Sequence, residues 1–391
     1  MLFQILLATT VGICLGIITG LIPGIHINLV AVLLFSLAFG NPLLTCVVII
    51  ATAVTHTFLD TIPSVFFGCP EAENCLSVLP GHRMLMEGKG YAAVMLTVIG
   101  SFGGLLLSVA VVPLLLHIVD PVYTFLKDYI GYILLLISIF LILKESKSKF
   151  WALAVFLISG VFALQVFNLT MNEPLFPLFS GMFGISMLAL SSSSKIPKQE
   201  EFKIEFDKKE SAKAISCSVV TGWICSFMPG LGPSQAAILG SQVVKLTNKG
   251  FMILVGGLST VNMVLSLVTL YILEKARNGA VVTVQKVLEV VSQSELAIFI
   301  GVSLVAGGCA VFLAHFLSKK FSVLIQKVNY KYLVYTVICL IIVLVFVICG
   351  WKGWVILFFS TCIGLIPQLK GIGRNHMMGS LLLPVILYFL L

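Results

Sequence analysis

Two short polar interruptions in an otherwise apolar chain are the places where this sequence could carry chemistry. The stretch "PGIHIN" begins at Pro23, and "PGLGPSQ" begins at Pro229. Proline removes a backbone donor, and glycine costs about 1 kcal/mol inside a helix, so Pro-Gly breaks a helix. In lipid the freed backbone groups would cost several kcal/mol each. Such a break therefore persists only where it is buried in protein or lines a water-filled cavity.

The half-helix that follows each break is the predicted binding element. Its first amides are unpaired and lie at the positive end of a helix dipole, which suits an anion. Asn28, Ser234 and Gln235 are expected in the first turn of these half-helices. The predicted substrate-binding residues are Pro23, Gly24, His26, Asn28, Pro229, Gly230, Gly232, Ser234 and Gln235. The alternative is that each Pro-Gly pair only makes a tight turn between two ordinary helices.

A second polar pair lies inside the next apolar run. His56 and Asp60 are four residues apart, so a helix would place them on one face. Ionisable residues at membrane depth are costly and mark function by default. Asp60 could bind a coupling Na⁺ or H⁺, and His56 could relay a proton or hold the charge of Asp60. Asn262 and Ser266 would be the second-half counterparts without charge, and Asn262 completes the predicted ion-coupling set.

The composition defines the class of protein that must position these residues. The 391 residues are 59% hydrophobic and 10% charged, with a mean hydropathy of +1.12. Soluble domains carry about 25% charged residues. Helices satisfy their own backbone groups in lipid. The sequence therefore predicts an all-α polytopic protein of the cell membrane, with about 10–14 membrane segments, some broken or re-entrant.

A polar segment divides the chain into two halves. Ser191–Lys213 is mixed in charge and reads as a cytoplasmic linker between residues 1–190 and 214–391. The halves align at an offset near 206. The matched pairs are Gly16 with Gly222, Pro23 with Pro229, Gly24 with Gly230, Asn28 with Ser234, and His56 with Asn262. Each half is predicted to be one repeat.

The lysine-rich loops predict how the two repeats are oriented. Basic loops concentrate on the cytoplasmic side. They are Lys144–Lys149, Ser191–Lys213, Ser318–Lys331 and Lys370–His376. The same reasoning places Gly81–Gly90 inside and its counterpart Glu274–Glu295 outside. The repeats would then have opposite orientation, which is the inverted-repeat architecture of secondary transporters.

Several functional classes lack their essential motifs. No Walker A sequence, HExxH or GxSxG occurs, so the chain is not expected to be an enzyme. The ten cysteines form no CxxC pair, so neither a metal site nor a cofactor beyond a coupling ion is predicted. No basic patch interleaved with aromatics occurs, which argues against nucleic acid as a partner.

Four stretches resemble the TctA family, the large membrane subunit of tripartite tricarboxylate transporters, in particular its short stand-alone archaeal relatives. They are "GLIPGI" from Gly20, "TIPS" with "LPGHRMLMEGKGYAAVMLTVIGSFGG" up to Gly104, "PLFPLFSGMFG" from Pro174, and "SFMPGLGPSQA" from Ser226. The resemblance implies carboxylate transport with an extracytoplasmic binding protein and a small membrane subunit. Two departures stand out: Ser64 replaces the glycine of the family's I-P-G, and Pro80 replaces an acidic residue.

The leading hypothesis is a secondary-active permease for a small carboxylate that works by ion-coupled alternating access. The alternative is a translocase for a lipid-linked phosphate, such as a polyprenyl phosphate. A lipid substrate needs a lateral apolar opening, whereas a carboxylate needs a closed polar pocket. Basic residues near the predicted site are few, with Arg83 and Lys89 the nearest in sequence, which argues against a tricarboxylate. A homodimer is left open.

Overall fold

The computed structural model describes most of the chain and assigns it almost entirely to helices. It describes residues 1–391 except 23–26, 28–29, 32–33, 36–39, 69–77, 172, 192–196, 200–203, 229–231 and 328–329, and only the backbone at 78, 79, 190, 191, 235, 242, 330 and 333. Within these bounds no strand occurs. The predicted all-α class is confirmed.

Sixteen α-helices are defined in the described residues. They are α1 (Leu2–Leu21), α2 (Pro42–Leu59), α3 (Thr61–Phe67), α4 (Val78–Met86), α5 (Gly90–Leu126), α6 (Ile130–Leu143), α7 (Lys149–Phe167), α8 (Leu175–Phe179), α9 (Ser186–Ser191), α10 (Lys208–Phe227), α11 (Pro233–Val243), α12 (Asn248–Leu273), α13 (Gly279–Leu288), α14 (Gln293–Ile325), α15 (Tyr330–Lys370) and α16 (Gly379–Leu390). A π-helical turn, Ser180–Ile185, joins α8 to α9.

The lengths and hydropathy of these helices are those of a multi-pass membrane protein. Seven helical segments of the described chain are long and apolar enough to span a bilayer. The two longest are Gly90–Leu143, with 54 residues, and Val334–Lys370, with 37. A bilayer core needs about 20 helical residues. The predicted number of crossings stays a prediction.

Helices α1 and α2 run parallel and touch closely. A side chain on Gly12 would meet Ala51, and one on Gly20, two turns later, would meet Leu59. Contacts that advance together along both helices require the same direction. Pro42, where α2 begins, therefore lies near the level at which α1 begins.

Helices α10 and α12 repeat this arrangement in the second half. Glu210 accepts a hydrogen bond from the Thr247 amide near their starts, and Ser226 contacts Thr269 near their ends. Helix α11, which connects them in sequence, runs back along α10, because Gly232 before its start lies by Cys225 and Gly240 near its end lies by Cys217. The second half thus has a parallel pair of helices with an antiparallel helix in between.

The longer helices link the two halves and fix their relative direction. Helix α5 lies parallel to α12, because Thr97 faces Gly256 and Gly104 faces Val261 further along both. Helix α5 lies antiparallel to α14, since Tyr91 contacts His315 near the start of one helix and the end of the other. Gly307, earlier in α14, meets Leu105, later in α5.

The corresponding helices of the two halves begin and end at one constant offset in residue number. Helix α1 spans Leu2–Leu21 and α10 spans Lys208–Phe227, while α2 begins at Pro42 and α12 at Asn248, all offset by 206. The residues after α1 and α10, Ile22 and Met228, have matching extended backbones, with φ/ψ of −96°/108° and −84°/119°. The predicted alignment of the halves therefore coincides with their helix boundaries.

The later helices of each half form a second group. Helix α16 packs on α6 and α7, and α15 packs on α7, α8 and the π-helical turn. Gly350 reverses α15 with φ 67° and ψ −163°, a conformation that glycine adopts readily. Trp354 Nε1 then donates to the Ile342 carbonyl at 2.9 Å, so the two arms of α15 lie side by side.

Contacts between loops agree with the prediction that the basic loops 144–149 and 370–376 lie on the same side of the membrane. Glu145 Oε2 accepts hydrogen bonds from the Gly373 amide at 2.9 Å and from His376 Nε2 at 3.0 Å. Gln199 binds the Gly90 amide at 3.0 Å, which joins the linker to the loop before α5. These contacts place the loop 144–149 beside the loop 370–376, and the loop 81–90 beside the linker.

Candidate functional site

Most of the predicted anion-binding residues lie outside the described part of the chain. Pro23, Gly24, His26, Asn28, Pro229 and Gly230 are among the residues that the structure does not describe, and Gln235 is described only in its backbone. Their assignment stays a prediction. What the structure does describe is the frame on either side of each break.

Gly232 and Ser234 stand at the start of the helix after the second break. Helix α11 begins at Pro233, which confirms that Ser234 lies in the first turn of a new helix. The Gly232 carbonyl accepts the Ala236 amide at 3.1 Å and the Cys225 thiol at 3.5 Å. Ser234 is 2% exposed. The start of α11 is therefore buried against the end of α10, as a re-entrant helix requires.

His56 and Asp60 occupy the last turn and the end of α2. Both are buried, with 2% and 1% of their surface exposed. His56 Nδ1 lies 3.1 Å from Thr19 Oγ1, on the last turn of α1, so α1 orients the imidazole ring. The Asp60 amide donates to the His56 carbonyl at 2.9 Å. Because α1 ends at Leu21, the pair lies beside the end of α1.

The junction after Asp60 is also built from short polar side chains. The Ser64 hydroxyl donates to the Asp60 carbonyl at 3.0 Å, which bridges α2 to α3. Thr61 Oγ1 lies 3.0 Å from Thr97 Oγ1 of α5. A carboxylate is thereby held where one helix ends, the next begins, and the end of α1 packs against both.

The two halves touch near His56 and Asn262. Thr57 Oγ1 of α2 and Thr260 Oγ1 of α12 are 3.0 Å apart. His56 precedes Thr57, and Asn262 follows Thr260 by two residues, so both lie within a helical turn of this contact. Asn262 is 7% exposed. The structure thus brings the two predicted counterparts to one level, where α2 and α12 meet.

Reasoning from the sequence missed the hydroxyl residues that support these groups. Thr19, Thr57, Thr260 and the buried pair Ser226 and Thr269 were not singled out, because serine and threonine are ordinary in membrane helices. Their signal is positional: Ser226 and Thr19 each lie within three residues of a helix end that precedes Pro-Gly. A hydroxyl at such a position can bind across to the neighbouring parallel helix.

The fold and this buried polar region define a multi-pass helical membrane protein with ionisable groups inside its helical core. The chain matches the profile of the "Tripartite tricarboxylate transporter TctA family" over residues 6–379 and belongs to that family. It is also similar to an uncharacterised protein of Methanocaldococcus jannaschii, with 30% identity over 98% of this chain and 99% of that protein. No solved structure matches the chain. The family resemblance is confirmed, and with it a transporter-type membrane protein.

Proposed function

We propose that this protein is a secondary-active permease for a small carboxylate, driven by an ion gradient through alternating access. The observation that carries the proposal is the buried pair His56 and Asp60, which lies beside the end of α1 and near the contact of α2 with α12. A carboxylate inside the hydrocarbon region is expensive unless it is paired or neutralised. Such a group is retained for its charge.

The pair supplies a physical basis for coupling. A Na⁺ or H⁺ that binds Asp60 cancels its charge and so changes the relative free energies of the conformations that bury or expose it. A ligand shifts a conformational equilibrium only through such a difference. The Thr19 contact ties His56 to α1, so a change at this pair reaches the helix that leads into the first break.

Substrate binding is proposed at the two Pro-Gly breaks. Each half-helix after a break offers about half a unit of positive charge at its start. Two such ends suit one carboxylate group better than three. The scarcity of basic side chains in α2 and α12, where Lys249 is the one lysine or arginine and His56 the one histidine, favours a mono- or dicarboxylate over a tricarboxylate.

Two inverted repeats would bring the two breaks together. The opposed directions of α5 and α14, the parallel pairs α1–α2 and α10–α12, and the common offset of helix boundaries all support this architecture. Helix α14 runs parallel to α2, because Cys46 interacts with Glu295 near the starts of both helices and Phe58 lies by Gly307 further along both. With α12 also parallel to α5, the two halves would run in opposite directions through the membrane. The predicted superposition of residues 1–190 on 214–391 rests on these directions.

The family relationship also suggests partners. A tripartite system implies a small membrane subunit and an extracytoplasmic binding protein, and we extend both to this chain as part of the proposal. For the alternative, a lipid-linked phosphate translocase, no contact among the described residues gives specific support. It is therefore kept as an arm of the test.

The test is uptake by the purified protein in proteoliposomes. Labelled acetate, succinate, citrate and a short-chain polyprenyl phosphate are offered with an imposed Na⁺ gradient, an imposed pH gradient, or neither. We expect gradient-dependent uptake of a mono- or dicarboxylate. We expect Asp60→Asn to reduce that uptake to background, because the amide keeps the shape of the side chain and removes its charge.

Asp120→Asn is the matched control, since Asp120 is exposed on α5 and the same atoms change. It should leave uptake unchanged, and both variants should unfold at the temperature of the native chain. Equal uptake by the native chain and Asp60→Asn would remove the coupling role. Movement of the lipid phosphate alone would replace the carboxylate proposal by the alternative.

A further inference from the structure

A buried hydroxyl pair marks the end of α10. Ser226 Oγ and Thr269 Oγ1 are 2.9 Å apart, and the two side chains are 0% and 1% exposed. Helix α10 ends one residue later, at Phe227, next to the second break. This pair has no role in the anion site or in the His56–Asp60 pair described above.

Both hydroxyl groups of this pair already donate their protons to hydrogen bonds. What remains available to a ligand is the lone pairs of their oxygen atoms. The Ser226 hydroxyl donates to the Trp223 carbonyl at 2.7 Å. In the contact between the two side chains, Thr269 must therefore be the donor. Each hydroxyl oxygen has two lone pairs. Thr269 Oγ1 then keeps its lone pairs with no proton left to donate, so the site offers acceptors and would repel an anion.

Ser266 adds a third oxygen on the same face of α12. It lies three residues before Thr269, the spacing at which side chains are neighbours on a helix. Ser266 is 0% exposed, and its Oγ has no hydrogen-bond partner in the described structure. Buried Ser303 on α14 instead donates to the Phe299 carbonyl at 2.8 Å. The Ser266 hydroxyl does not make this ordinary contact with its own helix.

The surrounding charge favours a cation of low charge. The last carbonyls of a helix lack intrahelical donors and form its negative end, and such ends coordinate Na⁺ in membrane proteins. Helix α12 carries no charged side chain between Lys249 and Glu274. Neutral oxygens without a carboxylate balance a single positive charge more readily than two.

We infer that Ser226, Ser266 and Thr269, together with the carbonyl end of α10, form a binding site for a monovalent cation of the Na⁺ type. This site is separate from His56 and Asp60 and belongs to the second half. It does not depend on carboxylate transport, although it would give the proposed permease a second place for a coupling ion. The first half has Gly20, Asp60 and Pro63 at the matching positions, so the two halves would bind ions by different chemistry.

The test measures Na⁺ binding without transport. The purified protein is titrated with NaCl against choline chloride at constant ionic strength, with the unfolding temperature and ²²Na⁺ retention as readouts. We expect saturable stabilisation by Na⁺ in the native chain. Ser266→Ala and Thr269→Val should each raise the half-saturating Na⁺ concentration about tenfold or more, as the loss of a ligand does.

Two variants make the result specific. Ser303→Ala removes an equally buried hydroxyl elsewhere and should leave Na⁺ binding unchanged. In Asp60→Asn, the Na⁺ response that Ser266→Ala weakens should still be present, which separates this site from the proposed coupling pair. No saturable Na⁺ binding, or binding lost in Asp60→Asn and kept in Ser266→Ala, would overturn the inference. Ser266→Ala decides the matter if Thr269→Val fails to fold, because the Ser266 hydroxyl makes no hydrogen bond to any described residue that folding could lose.

Discussion

Replacing Gly100 by alanine tests the contact that holds the two halves of the chain together. Gly100 lies in α5, where the backbones of α5 and α12 approach each other closely. A methyl group there would overlap the Ile253 carbonyl oxygen and lie 2.9 Å from the Gly257 amide nitrogen. Carbon–oxygen contacts in proteins are about 3.3–3.6 Å. The helices would therefore have to separate.

The cost of that separation can be estimated. Overpacking by one carbon costs about 1–3 kcal/mol, occasionally more. Separation also stretches the bond from the Ser101 hydroxyl to the Gly256 carbonyl, now 2.9 Å, whose loss costs about 1 kcal/mol. The better helix propensity of alanine returns about 1 kcal/mol. We expect Gly100→Ala to reduce the free energy of unfolding by about 1–3 kcal/mol.

The matched control is Gly308→Ala in α14. Gly308 is also helical, but among the described residues no atom outside the adjacent backbone of its own helix lies within 4 Å of the position of its added methyl group. The same change should therefore be neutral or stabilise by up to about 1 kcal/mol. Unfolding in detergent is followed with a fluorogenic maleimide, which reports exposure of buried Cys46 and Cys225. Equal unfolding temperatures for the two variants would refute the close-contact reasoning.

The remaining predictions concern the breaks and one loop contact. Gly24→Val and Gly230→Val should each weaken anion binding about tenfold or more, a loss of about 1.4 kcal/mol, because a branched side chain blocks close approach to the backbone. Isothermal titration with the transported carboxylate checks this, and unchanged affinity would mean that the breaks are only bends. Burial alone would raise the pKa of Glu145, but the amides of Gly373 and Lys147 and the ring of His376 hold this pKa at about 2. Because the folded pKa lies below the unfolded one, near 4.5, this stabilisation is present above pH 4.5 and is lost as the pH falls towards 2. Glu145→Gln should therefore flatten the pH dependence of unfolding in this window, and an unchanged profile would contradict the assignment.

The sequence alone determined the class of the protein and the sites of its breaks. The hydrophobic runs leave helices as the only open elements that satisfy their backbone groups in lipid. Pro-Gly pairs end helices through local sterics, so the ends of α1 and α10 just before Pro23 and Pro229 follow from chain chemistry. The offset of 206 between the halves was also readable, because it depends only on residue types and spacing.

Tertiary structure decided which groups meet. No spacing along the chain indicates that Thr19 binds His56, that Thr57 meets Thr260, or that Ser226 meets Thr269, because each contact joins different helices. Nor could the sequence show that α5 packs on α12 of the other half, or that the later helices of both halves gather into a second group. Helix propensity and hydropathy are local or one-dimensional, whereas the choice of neighbour depends on which faces can approach closely. Small residues at Gly100 and Gly256 permit the close approach of α5 to α12, and this pairing appears only when the chain is folded.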